Sequence, residues 1–510
     1  MQVMSSRLVA TLERLWPAAG ALPDFAAETL RLCTDSRQAG PGAVFVAVPG
    51  GTADGRDFIA AALAAGAWAV LCHAGDERAC PEDPRVVALP ALRERLGELG
   101  RELFAVPEHL ELVGVTGTNG KSSVTHYLAE LSQALGVPAG LVGTLGHGRV
   151  GALQEGGLTT PGPLALQAAL AELAGAGVRR VAMEVSSHAL EQGRLDGCRL
   201  QAAVFTNLTR DHLDYHGSMA AYAAAKARLF RRPELRLAVV NADDPLARLM
   251  LAGLRAGAGD GARVLATGQD EAVTLRVVDW HPHGAGQRAL VATPEGERVL
   301  ETALLGRFNL DNVLLAIATL HGLGHGIGEL FAAAAALAPV PGRMEALVRP
   351  GAPTVVIDYA HTPDALDNAL AALRDHLPTA GRLWCLFGCG GDRDSGKRAP
   401  MAAAAQGHAD CLVVTDDNPR GEDPAEIRAA VLAGLSADAR GTAQEIAGRG
   451  DAIARVLVEA DAEDVVLIAG KGHEAYQEIA GVRHPFSDLA EAERALAARR
   501  QGRGAGEGGA

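Results

Sequence analysis

Apolar residues in this chain come in short unbroken runs, each ending in polar residues. AVFVAV (43–48), AWAVL (67–71), ELVGV (111–115), RRVAMEVS (179–186), AAVFTN (202–207) and LAVVNADD (237–244) lie in the first half. TVVIDYAH (354–361), LWCLFGCGGDRD (383–394), CLVVTDDNPR (411–420) and DVVLIAGKGHE (464–474) lie in the second. Such runs predict strands buried on both faces. Stretches with helical spacing separate them, among them FIAAALAAG (58–66), SVTHYLAELSQALG (123–136) and NLDNVLLAIATLHGLG (309–324). Strand–helix alternation predicts an α/β protein with mainly parallel sheets. The region 270–304 departs from this: TLRVVDW, RALVATP and ERVLETALL read as antiparallel strands.

Changes in pattern predict three domains: a small N-terminal α/β domain (1–108), a central domain with a mainly parallel sheet (109–340), and a C-terminal Rossmann-like, doubly wound domain (341–498). Residues 499–510, RRQGRGAGEGGA, predict a disordered tail. At 510 residues, several domains are the natural expectation. In doubly wound sheets ligands sit at the carboxyl ends of the strands. DYAH, GGDRD, DDNPR and GKGHE all fall at such ends.

Charge narrows the partners. With 61 acidic and 47 basic residues, the formal charge of −14 argues against a nucleic-acid or anionic-membrane binder. No apolar run is long enough to predict membrane insertion, and the start of the chain lacks a secretory pattern. The seven cysteines are therefore expected as reduced thiols of a cytoplasmic protein. Cys385 and Cys389 read as core thiols.

TGTNGKSS (116–123) carries the clearest chemistry. It follows a strand and opens a helix, so backbone N–H groups and the helix N-terminus favour an anion. Gly117 and Gly120 let the backbone approach phosphate, Lys121 adds a point charge, and the Ser122 hydroxyl suits Mg²⁺. The general phosphate loop has a glycine where this chain has Val115. Glu184, at the end of a neighbouring predicted strand, suits a hard cation. TRDHLDYHG (209–217) spaces His212 and His216 four apart, which on its own suggests zinc, but no matching ligand set accompanies it. Lys226 reads by default as a solvated helix lysine. TDDNPR (415–420) reads by default as a polar turn.

Together these stretches closely resemble the Mur ligases, ATP-dependent peptide ligases of cell-wall precursor synthesis. The resemblance runs over roughly residues 28–490. It rests on TDSR (34–37), ADGRDF (53–58), VTGTNGKSS (115–123), LTTPG (158–162), MEVSSHALEQGR (183–194), FTNLTRDHLDYHG (205–217) and YAAAKARLF (222–230). GRFNLDN (306–312), PGRME (341–345), DYAHTPDAL (358–366), GCGGDRDSGKR (388–398), TDDNPR and AGKGHE (469–474) continue it in the same order. Within the family it looks like the branch that adds meso-diaminopimelate to the γ-carboxylate of UDP-N-acetylmuramoyl-L-Ala-D-Glu through an acyl phosphate.

The resemblance implies roles residue by residue. Gly117, Thr118, Asn119, Gly120, Lys121, Ser122 and Ser123 would hold the ATP phosphates. Asn309 would contact adenine, Asp358 the ribose, and Arg343 would help position the nucleotide. Ser122 and Glu184 would hold one Mg²⁺, His212 and a carbamylated Lys226 a second. Lys121, Glu184, His212 and Lys226 would thus form the catalytic set. Thr34, Ser36, Gly51, Thr52, Ala53, Thr159, Thr160, Ser186, Gln192 and Arg194 would line the UDP-sugar dipeptide, the first five giving the N-terminal domain its UDP-binding role. Arg393, Asp417, Asn418, Pro419, Arg420, Gly470 and Glu474 would receive diaminopimelate, with Arg420 reading its far carboxylate. Leu158 departs from the polar residue that relatives often carry there. Domain closure would keep water from the acyl phosphate. A monomer with small-molecule substrates follows. Three alternatives stay open: a folylpolyglutamate synthase, a phosphate-loop NTPase switch without ligase chemistry, and a zinc hydrolase built on DHLDYH.

Overall fold

The computed structural model describes residues 1–19, 23, 27–51, 53–254 and 261–507, with side chains described as far as 500. Thr52 lies outside the described residues. The chain forms two compact units, Met1–Leu265 and Ala266–Ala510. No helix among the described residues is long and apolar enough to cross a membrane.

The first unit opens with a five-stranded sheet in the order Gln2–Met4, Thr29–Cys33, Ala43–Ala47, Ala69–Ala74, Val86–Pro90. The first pair is antiparallel and the rest are parallel. One expectation is corrected by this sheet: Cys72 and Cys80 form a disulfide, because the turn after the strand Ala69–Ala74 folds Cys80 back beside it. Cys33, Cys198, Cys385, Cys389 and Cys411 are free thiols, and all but Cys411 are buried.

A second set of strands in this unit runs in the order Leu237–Asn241, Leu200–Phe205, Glu111–Thr116, Arg180–Glu184, Ala139–Gly143, all parallel. The register sets Glu184 against Val115, and Phe205 against Thr116. The carboxyl ends of three strands thus bring the 116–120 loop, Glu184 and Thr206–Asn207 to one edge. The strand Ala139–Gly143 escapes the apolar pattern because two of its five residues are glycine. Gly143 has a structural reason: a Cβ there would lie 2.3 Å from the Glu184 carboxylate.

In the second unit, Leu275–His283, Gly286–Thr293 and Gly296–Thr302 form the antiparallel ladder that 270–304 predicts. The largely buried helix Arg307–Gly322 follows. A six-stranded sheet then runs in the order Glu345–Leu347, Thr354–Asp358, Val465–Ala469, Leu383–Phe387, Cys411–Val414, Gln444–Glu445. Only the first pair is antiparallel. Apolar clusters cover both faces, as near-continuous Val/Leu/Ile strands require. Asp358 and Phe387 both pair with Ala469, and Phe387 pairs with Val414. The four polar clusters therefore emerge along one edge.

The expected tail is corrected as well. The last helix runs Asp488–Glu507, so disorder does not begin at 499. Arg499 Nη1 donates to the carbonyls of Leu457 (2.5 Å) and Ala460 (2.6 Å) at the end of the helix Arg449–Glu459. That favourable cation at a helix C-terminus anchors the segment. Residues 508–510 lie outside the described residues.

Candidate functional site

Two polar edges, one in each unit, carry the candidate residues. In the first unit, Gly117 has φ +156° and Gly120 has φ +82°, and Gly120 precedes the helix Lys121–Ala134. A Cβ on Gly117 would fall 1.8 Å from Thr206 Oγ1, so no other residue fits. The loop is built against the next strand end. Thr118 N donates to the Asn207 carbonyl (2.9 Å), Asn119 N to Asn207 Oδ1 (2.9 Å), and Thr206 Oγ1 to the Asn119 carbonyl (2.6 Å). Thr118 Oγ1 lies 3.2 Å from the Tyr222 hydroxyl. Ser122 and Ser123 are buried in the first turn of the helix.

Two lysines converge on this loop. Lys121 Nζ donates to the carbonyls of Gly117 (3.0 Å) and Thr118 (2.8 Å). Lys226, 1% exposed, donates to the same Gly117 carbonyl at 2.7 Å and lies 4.5 Å from the Tyr222 ring centroid. Burial first, then the Lys121 ammonium, hold the Lys226 amine well below the usual lysine range, with Asp211 opposing. No carboxylate is ion-paired with Lys226 among the described residues. The default reading of Lys226 as solvated is thus overturned: it sits on the buried face of the helix Met219–Ala227.

Glu184 is buried, and both oxygens accept from Thr144: Oε1 from the backbone N–H (2.9 Å), Oε2 from the hydroxyl (3.1 Å). His212 has φ +52° and a half-exposed ring, whereas the His216 ring is buried with Nε2 2.9 Å from Ser187 Oγ. The two histidines do not share a helix face, because the helix Leu213–His216 starts after His212. Among the described residues, no group of three or more His, Cys, Asp and Glu side chains could hold a metal ion.

Beside this edge the second half of the dipeptide set comes together. Thr160 Oγ1 donates to the Glu184 carbonyl (2.8 Å) and accepts from Ser186 N (3.1 Å). Arg194 Nη1 donates to the Thr160 carbonyl (2.8 Å) and Nη2 to Gln192 Oε1 (2.6 Å). Thr159 Oγ1 lies 3.0 Å from Thr144 Oγ1. Thr34, Ser36, Gly51 and Ala53 stand apart on loops of the five-stranded sheet, with no hydrogen bond to this network among the described residues. Arg56, buried between Asp54 and Asp76 at 2.7 Å each, holds their loop.

In the second unit, Asp358 accepts from Met344 N and Ala360 N (2.8 Å each), and burial raises its pKa against the opposing Arg343 charge. Arg343 stacks over Tyr359 at 4.5 Å. Asn309 is buried and donates Nδ2 to the Leu305 carbonyl (2.8 Å).

The 415–420 segment is strapped along 476–480. Arg420 N donates to the Glu478 carbonyl (3.0 Å), Ala480 N to the Arg420 carbonyl (2.7 Å), and Gln477 Nε2 to the Asp417 carbonyl (2.6 Å). These bonds hold Arg420 at φ +51°, unusual for a residue with a side chain. Arg420 Nη1 donates to the Gly391 carbonyl (2.8 Å), and a Cβ on Gly391 would meet the Pro419 carbonyl at 2.0 Å. Arg393 is exposed on the same loop as Gly391. Gly470, φ +116°, lets the Asp417 carboxylate lie where a Cβ would come within 2.9 Å. Asn418 Nδ2 donates to Glu474 Oε2 (2.9 Å). The segment is a built cluster of two carboxylates, a carboxamide and a guanidinium, not a free turn.

Sequence reasoning passed over Thr144, Asn207, Lys471 and Arg449. Asn207 and Lys471 lie inside quoted motifs, so their signal was present. Arg449 Nη2 donates to the Ala469 carbonyl (2.9 Å) and to Asp488 Oδ2 (2.8 Å), and only the folded chain brings these together.

Comparison with known proteins fits this layout. Residues 31–103 match the model "Mur ligase family, catalytic domain", 115–320 "Mur ligase middle domain", and 342–472 "Mur ligase, glutamate ligase domain". A protein of Ectopseudomonas mendocina (strain ymp) named UDP-N-acetylmuramoyl-L-alanyl-D-glutamate--2,6-diaminopimelate ligase is 51% identical over 92% of this chain and 95% of its own. A protein of the same name from Pseudomonas aeruginosa is also 51% identical, over 92% and 95%. A solved structure of a ligase of that name is 37% identical, with a TM-score of 0.69, covering 98% of this chain and 100% of the other. The chain belongs to the Mur ligase family.

Proposed function

We propose that this protein joins meso-diaminopimelate to the γ-carboxylate of UDP-N-acetylmuramoyl-L-Ala-D-Glu at the expense of ATP. The observation that carries this reading is the strapped 415–420 segment: it holds a guanidinium, Arg420, against the Gly391 carbonyl and carries Asn418, whose carboxamide donates to Glu474. A diamino acid with a carboxylate at each end needs both an anion-reading fork and an ammonium acceptor, and this cluster contains both. The relatives' names and the family matches support the same substrates. The matches lie within the three expected domains, 1–108, 109–340 and 341–498, which we retain as functional modules.

Residues 117–123 hold the ATP phosphates, with loop amides and Lys121 facing the anion. Asn309, Arg343 and Asp358 hold the nucleoside. Thr34, Ser36, Gly51, Thr52, Ala53, Thr159, Thr160, Ser186, Gln192 and Arg194 hold the nucleotide-sugar dipeptide. Arg393, Asp417, Asn418, Pro419, Arg420, Gly470 and Glu474 receive the amino acid.

The D-Glu carboxylate attacks the γ-phosphorus and ADP leaves. The amine then attacks the acyl carbon, and phosphate and a proton depart as the amide forms. Two anions must meet in the first step, so Lys121 offsets their repulsion. Ser122 and Glu184 are oxygen donors of the hard kind Mg²⁺ takes, and the buried, Thr144-held carboxylate fits such an ion. Bound there, it would supply charge neutralisation at the phosphate oxygens. Lys226 and His212 form the second set. A neutral amine adds to carbon dioxide and loses a proton, giving an anionic oxygen ligand. The depressed basicity of Lys226 favours the reactive neutral form.

The test is phosphate release from ATP with the UDP-sugar dipeptide, comparing meso-diaminopimelate with L-lysine. We expect turnover with diaminopimelate alone, and a KM for it roughly tenfold or more higher in Arg420→Ala, the scale of a lost charge-assisted hydrogen bond. Turnover with lysine would overturn the reading of Arg420. ATP hydrolysis that ignores both amino acids would overturn the ligase.

A further inference from the structure

Lys471 stands between two strand ends of the second unit and is used by none of the steps above. Its side chain is fully buried, which for a lysine demands a partner. Nζ donates to Asn418 Oδ1 (3.1 Å) and to Glu474 Oε2 (3.0 Å), and lies 5.6 Å from the Tyr476 ring centroid.

These bonds decide the orientation of the Asn418 carboxamide. Oδ1 faces two donors, Lys471 Nζ and the Glu478 N–H (2.9 Å). A flipped amide would set its NH₂ against both of them, so Nδ2 is obliged to face Glu474. Glu474 Oε2 then takes both Asn418 Nδ2 and Lys471 Nζ. The other oxygen, Oε1, accepts no hydrogen bond among the described residues, and the Glu474 side chain retains 20% exposure. One oxygen is committed to the protein, and the other is left without a hydrogen bond among the described residues.

We propose that Lys471 is a positioning residue for the amino-acid end of the site: by fixing Asn418 and committing Glu474 Oε2, it presents Oε1 to an ammonium group of the incoming diamino acid. This rests on the reading that the segment 415–478 receives a diamino acid. Lys471 touches neither substrate nor reacting atoms. Its effect appears in the affinity for the amino acid and leaves the nucleotide alone.

The experiment begins with the wild-type enzyme, assayed for phosphate release with meso-diaminopimelate and with L-lysine. Turnover with neither overturns the functional reading and this proposal with it. Turnover with lysine overturns only the choice of diaminopimelate, and the variants are then read with lysine. Lys471→Met, Glu474→Gln and the double variant follow. We expect Lys471→Met to raise KM for the amino acid at least tenfold, with KM for ATP and kcat within about threefold of wild type. In the Glu474→Gln background the same change should add less than about threefold, because the oxygen it positions is gone. A purely structural lysine would instead lower the active fraction, leaving every KM unchanged. That result, or an equal effect of Lys471→Met in both backgrounds, would overturn the proposal. Should Lys471→Met fail to fold, the double variant lacks the uncompensated buried charge and is compared with Glu474→Gln directly. A tenfold difference in KM between those two would also overturn it.

Discussion

Two lysines are almost wholly shielded from water, one in each unit, and they are built differently. Lys471 lies between a carboxylate and a carboxamide, and its charge is met at about 3 Å by Glu474. Lys226 has the Gly117 carbonyl, the face of Tyr222 and the ammonium of Lys121 for company. The first environment pairs the lysine with a carboxylate, which suits the positioning role proposed for it. The second disfavours a cation, which is the condition that the proposed chemical role of Lys226 requires. Burial alone therefore says little about a lysine's role; the partner decides.

The largest effect should come from breaking a paired buried cation. Arg449 and Asp488 are both fully buried and joined by two hydrogen bonds of 2.6 and 2.8 Å. Asp488→Ala leaves the guanidinium uncompensated, and we expect a loss of about 3–5 kcal/mol. Urea unfolding followed by near-ultraviolet circular dichroism reads this directly. A loss below about 1 kcal/mol would mean that pairing is not what keeps such cations in place.

Removing the unpaired lysine should do the opposite. Lys226→Met is expected to cut turnover by about 10²–10³-fold, the scale of losing one electrostatic catalytic group. Its unfolding midpoint should not fall, since no ion pair is lost. A clear drop in stability with turnover preserved would make Lys226 scaffolding like Lys471.

The smallest effect concerns a third buried base. His126, on the helix that follows the phosphate loop, has Nδ1 buried without a partner, and burial lowers its pKa to about 4 from 6.5. Between those values the unfolded chain binds the proton and the native chain does not. Stability is therefore lost as pH falls from 6.5 towards 4. Between about pH 7.5 and about pH 5 this amounts to about 2 kcal/mol. His126→Leu should remove that part of the slope in unfolding free energy against pH; an unchanged slope would show that the Glu130 carboxylate, 3.6 Å from Nε2, keeps the proton on the buried ring.

Legibility in the sequence followed the same division. Strands buried on both faces announce themselves as apolar runs, so the parallel sheets and the edge carrying DYAH, GGDRD, DDNPR and GKGHE were readable. The phosphate loop was readable because its glycines and lysine lie close together in one short stretch, Gly117 to Lys121. Ala139–Gly143 was not, since Gly143 is there to clear Glu184, Gly140 faces the Gly148 carbonyl and Leu173, and the two dilute the apolar signal. Nor was the burial of Lys226, which depends on Tyr222 and on a loop more than a hundred residues away. The pairing of Arg449 with Asp488, likewise, exists only once the last helix docks. The Cys72–Cys80 disulfide went against a composition argument that could not see a local turn.

The contrast between the two lysines is tested most directly by ¹³C NMR of the protein equilibrated with ¹³C-bicarbonate. The account predicts one carbamate carbon resonance in the wild-type protein, retained in Lys471→Met and absent from Lys226→Met. A wild-type spectrum without that resonance, or its survival in Lys226→Met, would contradict a chemical role for the unpaired lysine.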